Sequence, residues 1–205
     1  MTKIKICGIK RPEDIHYVNK YRPDYIGFIF AQSSRRIDED TAFRLKSKLS
    51  HEIQTVGVFV NESVRHIVSL CEKKIIDLVQ LHGEEDKDYI LRLKSLVPNA
   101  VIKAVRVSKK GQIEAARDLP CDYLLFDTYV AGQYGGSGKT FDRKLIPDIS
   151  RPFFLAGGLK KENIAEAIAD CHPYCVDISS GVETNGIKDE IKIKEIIEVV
   201  RALDS

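Results

Sequence analysis

Lys3-Ile4-Lys5-Ile6-Cys7-Gly8-Ile9 is the stretch on which the fold turns. Its alternation sends Ile4 and Ile6 to one side of a strand and Lys5 and Cys7 to the other. Free cysteine is among the most buried residue types, so packing is the ordinary reading of Cys7. A thiol sharing a face with a lysine, just ahead of a glycine at a strand end, also suits chemistry. After this strand Pro12-Glu13-Asp14 opens a helix, with proline in the first turn and acids at its positive end. The same theme then recurs down the chain: a β-branched run, a polar break, an amphipathic segment.

Further strands are expected over residues 25–30, 54–60, 77–83, 101–107, 123–127, 153–156 and 175–179. Helices are expected over 12–21, 38–49, 61–73 with Asn61 as N-cap, 86–96, 109–117, near Leu145, 161–170 and 189–203. Eight β-then-α units leave two economical architectures, an open doubly wound sheet and a closed α/β (β/α)8 TIM barrel. The count of eight favours the barrel, at the small end of its size range. No linker or composition shift divides the 205 residues, which are expected to form a single barrel domain, 1–205.

With 43% hydrophobic and 30% charged residues the chain can build one sizeable core. A net charge of +2, with basic and acidic residues interspersed, argues against nucleic acid or a membrane surface as partner. No apolar run reaches transmembrane length, and residues 1–10 lack the apolar core of a signal peptide. The cysteines (Cys7, Cys71, Cys121, Cys171, Cys175) are odd in number and show no CxxC pair, which suits reduced thiols in the cytoplasm. Cys171 and Cys175 flank His172, but His-Pro-Tyr between them suits a helix end entering a strand better than zinc ligation, and no metal is expected.

Strands buried on both faces should be nearly all apolar, so the exceptions are informative. They are Lys5, Cys7, Gln80, His82, Lys103, Asp127, Asp177 and Ser179. Where a strand has two, they share a parity. Any one of them reads first as a satisfied core group; together, near the carboxyl ends of barrel strands, they mark an active-site mouth. Lys5 and Lys103 are expected to share the interior and to supply positive potential there.

Residues 132–140, Gly-Gln-Tyr-Gly-Gly-Ser-Gly-Lys-Thr, resemble a P-loop but fail its spacing, since Gln133 stands where the first glycine belongs. A mobile active-site loop and a plain solvated turn are evenly matched there. Gly157-Gly158 after the seventh strand and Ser180-Gly181 after the eighth fall where such barrels hold a phosphate on backbone N–H groups.

Taken together, Lys5-Ile6-Cys7-Gly8-Ile9, Ser33-Ser34-Arg35, Val58-Phe59-Val60-Asn61, Val79-Gln80-Leu81-His82-Gly83, Phe126-Asp127-Thr128, the run from Gly135 to Asp142, Ala156-Gly157-Gly158-Leu159 and Asp177-Ile178-Ser179-Ser180-Gly181-Val182-Glu183 resemble the phosphoribosylanthranilate isomerase family. The resemblance implies a tryptophan-biosynthesis enzyme that performs an Amadori rearrangement of N-(5-phosphoribosyl)anthranilate without a cofactor. It implies Asp127 as general acid and Cys7 as general base. It implies Arg35 at the substrate carboxylate, His82 and Asp177 at the substrate, and Gly157, Gly158, Ser180 and Gly181 at the phosphate. The chain departs from the family at Ser34, where many relatives carry proline, and at Arg143, where an aromatic often stands; Arg36 is a second candidate for the carboxylate. A small-molecule phosphosugar is thus the expected partner, with the chain a monomer or homodimer. The competing readings are another phosphosugar barrel acting on a related aminoaldose, or a non-catalytic phosphosugar-binding barrel. The latter has no need of Cys7 or Asp127.

Overall fold

A computed structural model describes residues 1–106, 116–127 and 151–203. The glycine-rich stretch 131–139, Arg143, the helix near Leu145 and all but the end of the helix expected over 109–117 lie outside the described residues. Eight parallel strands close on themselves in sequence order: β1 (Lys3–Cys7), β2 (Tyr25–Ile29), β3 (Gln54–Phe59), β4 (Leu78–Leu81), β5 (Ala100–Arg106), β6 (Tyr123–Asp127), β7 (Phe153–Ala156) and β8 (Cys175–Ile178). The closed barrel, and not the open sheet, is the fold.

Among the described residues the helices outside the barrel are α1 (Pro12–Tyr21), α2 (Glu39–Lys46), α3 (Val64–Glu72), α4 (Lys87–Lys94), α5 (Ile164–Cys171) and α6 (Glu190–Ala202). None is long and apolar enough to cross a membrane. Side-chain caps set several of their starts: Asp38 accepts from the Thr41 N–H, Asp86 from Tyr89, and Asp189 from Ile191 and Lys192. The cap of α3 is Ser63, not Asn61. Asn61 takes a left-handed φ of 50° and turns its side chain to accept from the Glu84 N–H, so it ties the β3 loop to the β4 loop instead. Cys171 closes α5, His172 caps it in left-handed backbone and Cys175 opens β8, so this Cys-His-Cys stretch is the helix-to-strand turn its spacing suggests.

Alternation along each strand sorts the apolar side chains into two layers. One parity (Ile4 and Ile6, Ile26 and Phe28, Leu124 and Phe126, Val176 and Ile178) packs beneath the helices. The other (Tyr25, Val56, Leu78, Ile102, Leu125, Phe154, Cys175) fills the barrel interior. Tyr25 and Tyr174 meet hydroxyl to hydroxyl at 2.9 Å, and Tyr174 stacks on Tyr123 at 5.2 Å between centroids. This aromatic plug lies toward the amino ends of the strands and leaves the polar residues to the other end.

The expectation that Lys103 shares the interior is wrong. Ile102 and Ala104 are the inward residues of β5, so Lys103 has the outward parity of Val101. It is nonetheless buried, because its ammonium donates to the Gly83 carbonyl at 2.6 Å and to the Glu85 carboxylate at 2.9 Å. Glu85 in turn accepts from the backbone N–H groups of Asn61 and Gly83. Lys103 therefore braces the β3 and β4 loops from outside; a buried charge needs such a partner wherever it points.

Candidate active site

The carboxyl ends of the strands carry three groups of polar side chains. The first straddles β1 and β8. Register places Lys5 directly opposite Asp177, and the fully buried ammonium meets the carboxylate at 2.7 Å. Burial opposes the Lys5 charge, but Asp177 and then Cys7 outweigh it and raise its pKa above the ordinary value. One step further along β1, Cys7 lies opposite Gly27 of β2, and a Cβ on Gly27 would stand 2.6 Å from the Cys7 sulfur. That glycine is the space into which the thiol points. Burial holds the Cys7 thiol above its ordinary value; Lys5 draws it only partly back down, Asp177 adds to the rise, and Lys188 opposes it. The second oxygen of Asp177 is buried and accepts no hydrogen bond from the described residues. An acceptor left open within the mouth is suited to a ligand N–H or hydroxyl.

The second group joins β4 to β6. The Gln80 side-chain amide lies 2.9 Å from His82 Nδ1, and His82 Nε2 lies 3.3 Å from the Asp127 carboxylate. With Gln80 donating, the imidazole presents Nε2–H to an ionised Asp127. With the amide turned over, Nδ1 carries the proton and Nε2 accepts from a protonated Asp127. The same three side chains thus accommodate either charge state of the carboxyl. Asp127 and His82 both reach solvent, with side chains 22% and 20% exposed, whereas Lys5 is fully buried.

The third group lies on the loops after β2 and β8. Gly8 adopts φ +84°, and a Cβ there would meet the Arg35 stem at 2.7 Å, so this glycine lets Arg35 cross the end of β1. Arg35 reaches Glu183 through both Nε and Nη2, at 2.7 and 2.6 Å. Arg36 instead is exposed and turns to Gln32. Behind β8, Ser180–Val182 forms a single 3-10 turn that packs against the loop after β7. A Cβ on Gly181 would stand 1.9 Å from the Leu159 carbonyl oxygen, so only glycine brings the two loops this close. Gly157 and Gly158 both hold positive φ, 96° and 65°.

Each sequence-predicted site residue therefore sits at one mouth: Cys7, Arg35, His82, Asp127, Gly157, Gly158, Asp177, Ser180 and Gly181. Sequence reasoning missed the roles of Glu183 and Lys188, which a two-stranded ribbon, β9 (Glu183–Thr184) and β10 (Ile187–Lys188), pairs across Asn185-Gly186. That Asn-Gly dipeptide between two short runs is a hairpin signal present in the sequence.

An eight-stranded barrel with titratable side chains at its carboxyl mouth and paired glycine loops after β7 and β8 has the layout of the class of phosphosugar-handling barrel enzymes. The model of the family N-(5'phosphoribosyl)anthranilate (PRA) isomerase matches residues 4–199. An N-(5'-phosphoribosyl)anthranilate isomerase of Endomicrobium trichonymphae is 56% identical over 203 residues, 99% of this chain and 100% of the relative. The solved phosphoribosyl anthranilate isomerase of Thermotoga maritima superposes with a TM-score of 0.88 at 39% identity, over 98% of this chain and 100% of that one. A second solved isomerase, in complex with reduced 1-(o-carboxyphenylamino)-1-deoxyribulose 5-phosphate, superposes at 0.83 with 34% identity, over 98% of this chain and 100% of that one. The chain belongs to the N-(5'-phosphoribosyl)anthranilate isomerase family.

Proposed function

We propose that this chain performs the Amadori rearrangement of N-(5'-phosphoribosyl)anthranilate to 1-(2-carboxyphenylamino)-1-deoxyribulose 5-phosphate in tryptophan biosynthesis, with Asp127 as general acid and Cys7 as general base. The observation that carries the reading is the placement of these two groups on either side of the glycine loops. In the closed strand order β7 and β8 lie between β6, which bears Asp127, and β1, which bears Cys7. A phosphate held by backbone N–H groups around Gly157, Gly158, Ser180 and Gly181 leaves the sugar ring between acid and base.

The protonated Asp127 carboxyl gives its proton to the ring oxygen as the bond from that oxygen to C1 breaks, and the substrate nitrogen closes a Schiff base. The Cys7 thiolate then takes the C2 proton, producing an enolamine and a thiol, and the enolamine tautomerises to the ketone. Atoms balance with no cofactor. Asp177 offers its open oxygen to the substrate amine or a sugar hydroxyl, His82 steadies Asp127, and Arg35 meets the anthranilate carboxylate. Each proton-transfer group should contribute about 10²–10⁴-fold in rate.

Mixing the protein with freshly made substrate should quench the anthranilate-type fluorescence. Cys7→Ser and Asp127→Asn variants that fold and remain as active as the parent would rule out the assignment.

A further inference from the structure

Arg35 projects from a loop, and an arginine side chain left to itself samples many rotamers, so something must aim it. Glu183 does so through one edge of the guanidinium. Its carboxylate accepts from Nε and Nη2 at 2.7 and 2.6 Å. Arginine has five N–H donors in a rigid fork. Occupying the Nε–Nη2 edge fixes the plane of the group and leaves both Nη1 hydrogens and one on Nη2 free of Glu183.

Glu183 is itself held. Lys188 lies opposite it across the β9–β10 ribbon, and Asn185 and Gly186, both at positive φ (53° and 74°), make the two-residue turn that sets this register. Lys188 is 4% exposed, and its ammonium donates to Glu183 at 2.7 Å and to the Ser179 carbonyl at 2.9 Å. Burial would raise the Glu183 carboxyl, but Arg35 and Lys188 overcome it and hold it down at about 2. Two cations thus share one carboxylate, so the cluster carries one uncompensated positive charge, the complement of a single carboxylate on a ligand.

We propose that Glu183 and Lys188 are positioning residues that orient Arg35, so that preference for a ligand whose aromatic ring carries a carboxylate depends on them as well as on Arg35. The inference rests on the assignment of Arg35 to that carboxylate made above. If Glu183 acted only as a competing negative charge, removing it would strengthen carboxylate binding; as an orienting group, its removal weakens it. The sign of the effect separates the two.

The test uses calorimetric binding of two stable probes, the reduced carboxyphenylamino-deoxyribulose phosphate and its counterpart without the carboxylate, alongside kcat and KM on fresh substrate. The parent should prefer the carboxylated probe, and Arg35→Met should abolish the preference. Glu183→Gln should cut the preference about tenfold, the loss expected for a misaligned charge-assisted pair, and raise KM more than it lowers kcat. Binding of the probe without the carboxylate should not change. If Glu183→Gln fails to fold, Lys188→Gln carries the same expectation. A preference that survives or grows in these variants, while Arg35→Met abolishes it, overturns the inference alone. A preference untouched by Arg35→Met overturns the Arg35 assignment and the inference with it.

Discussion

The two flanks of the mouth handle charge in opposite ways. On the β1–β8 flank Cys7 stands over a buried lysine–carboxylate pair, so its ionisation is governed by fixed neighbours at low dielectric. On the β4–β6 flank Asp127 reaches solvent and touches a histidine whose other ring nitrogen is held by Gln80. One flank surrounds its titrating group with buried charges; the other can re-pair its hydrogen bonds around either form of the carboxyl. The acid and base proposed for one turnover need that difference, since a single environment would move both pKa values the same way.

The largest expected effects come from removing the proposed acid and base themselves. Asp127→Asn and Cys7→Ala should each lower kcat by about 10²–10⁴-fold with little change in KM. Steady-state kinetics on folded variants decides the point. A large rise in KM with kcat intact would mean that the residue binds and does not transfer a proton.

Much of this contrast is legible in the amino-acid sequence alone. The parity of Lys5 with Cys7 and of Gln80 with His82 places four side chains correctly, because strand alternation is a local rule that barrel closure preserves. Lys103 shows where the rule gives out: the other charged residue of its strand, Arg106, has the opposite parity, and the Glu85 that lets Lys103 be buried outside lies in a loop. Glu183 and Lys188 are hidden differently. Their pairing depends on a hairpin of two-residue strands, too short for periodicity to register. The long-range contacts, Arg35 to Glu183 and His82 to Asp127, follow from barrel geometry alone.

Lys5→Met tests the base flank next. It leaves Asp177 buried without its ion partner, and breaking a buried pair in this way costs about 3–5 kcal/mol in unfolding free energy. Urea denaturation measures it. In whatever fraction folds, the thiol-dependent rise of kcat/KM should move to higher pH, because Lys5 is the strongest group lowering the Cys7 pKa. An unshifted profile would remove Lys5 from the activation of the thiol.

Acid should loosen the Arg35–Glu183–Lys188 cluster on the neighbouring loops through Glu183. Its carboxyl titrates at about 2 in the folded chain against 4.5 for an unperturbed glutamate. The unfolded state therefore binds the proton first as pH drops. The stabilisation is complete above about 4.5 and is lost progressively toward 2. Unfolding free energies measured from pH 6 to pH 3 should fall less steeply for Glu183→Gln than for the parent, and parallel curves would contradict the coupling.

The smallest effect, and the sharpest probe of the contrast, belongs to His82. In His82→Gln a neutral side chain still reaches toward Asp127 but does not exchange donor for acceptor on one atom as an imidazole nitrogen does. If the β4–β6 flank works by letting the Gln80–His82 pair follow the proton on Asp127, kcat should fall by about tenfold, a little over 1 kcal/mol, with KM nearly unchanged. Gln80→Leu should reproduce part of that fall, because the ring nitrogen facing Gln80 loses its partner while His82 Nε2 still faces Asp127. A His82→Gln enzyme with unchanged kcat would mean that Asp127 cycles its proton through solvent alone, and the β4–β6 flank would then owe its adaptability to exposure and not to the histidine.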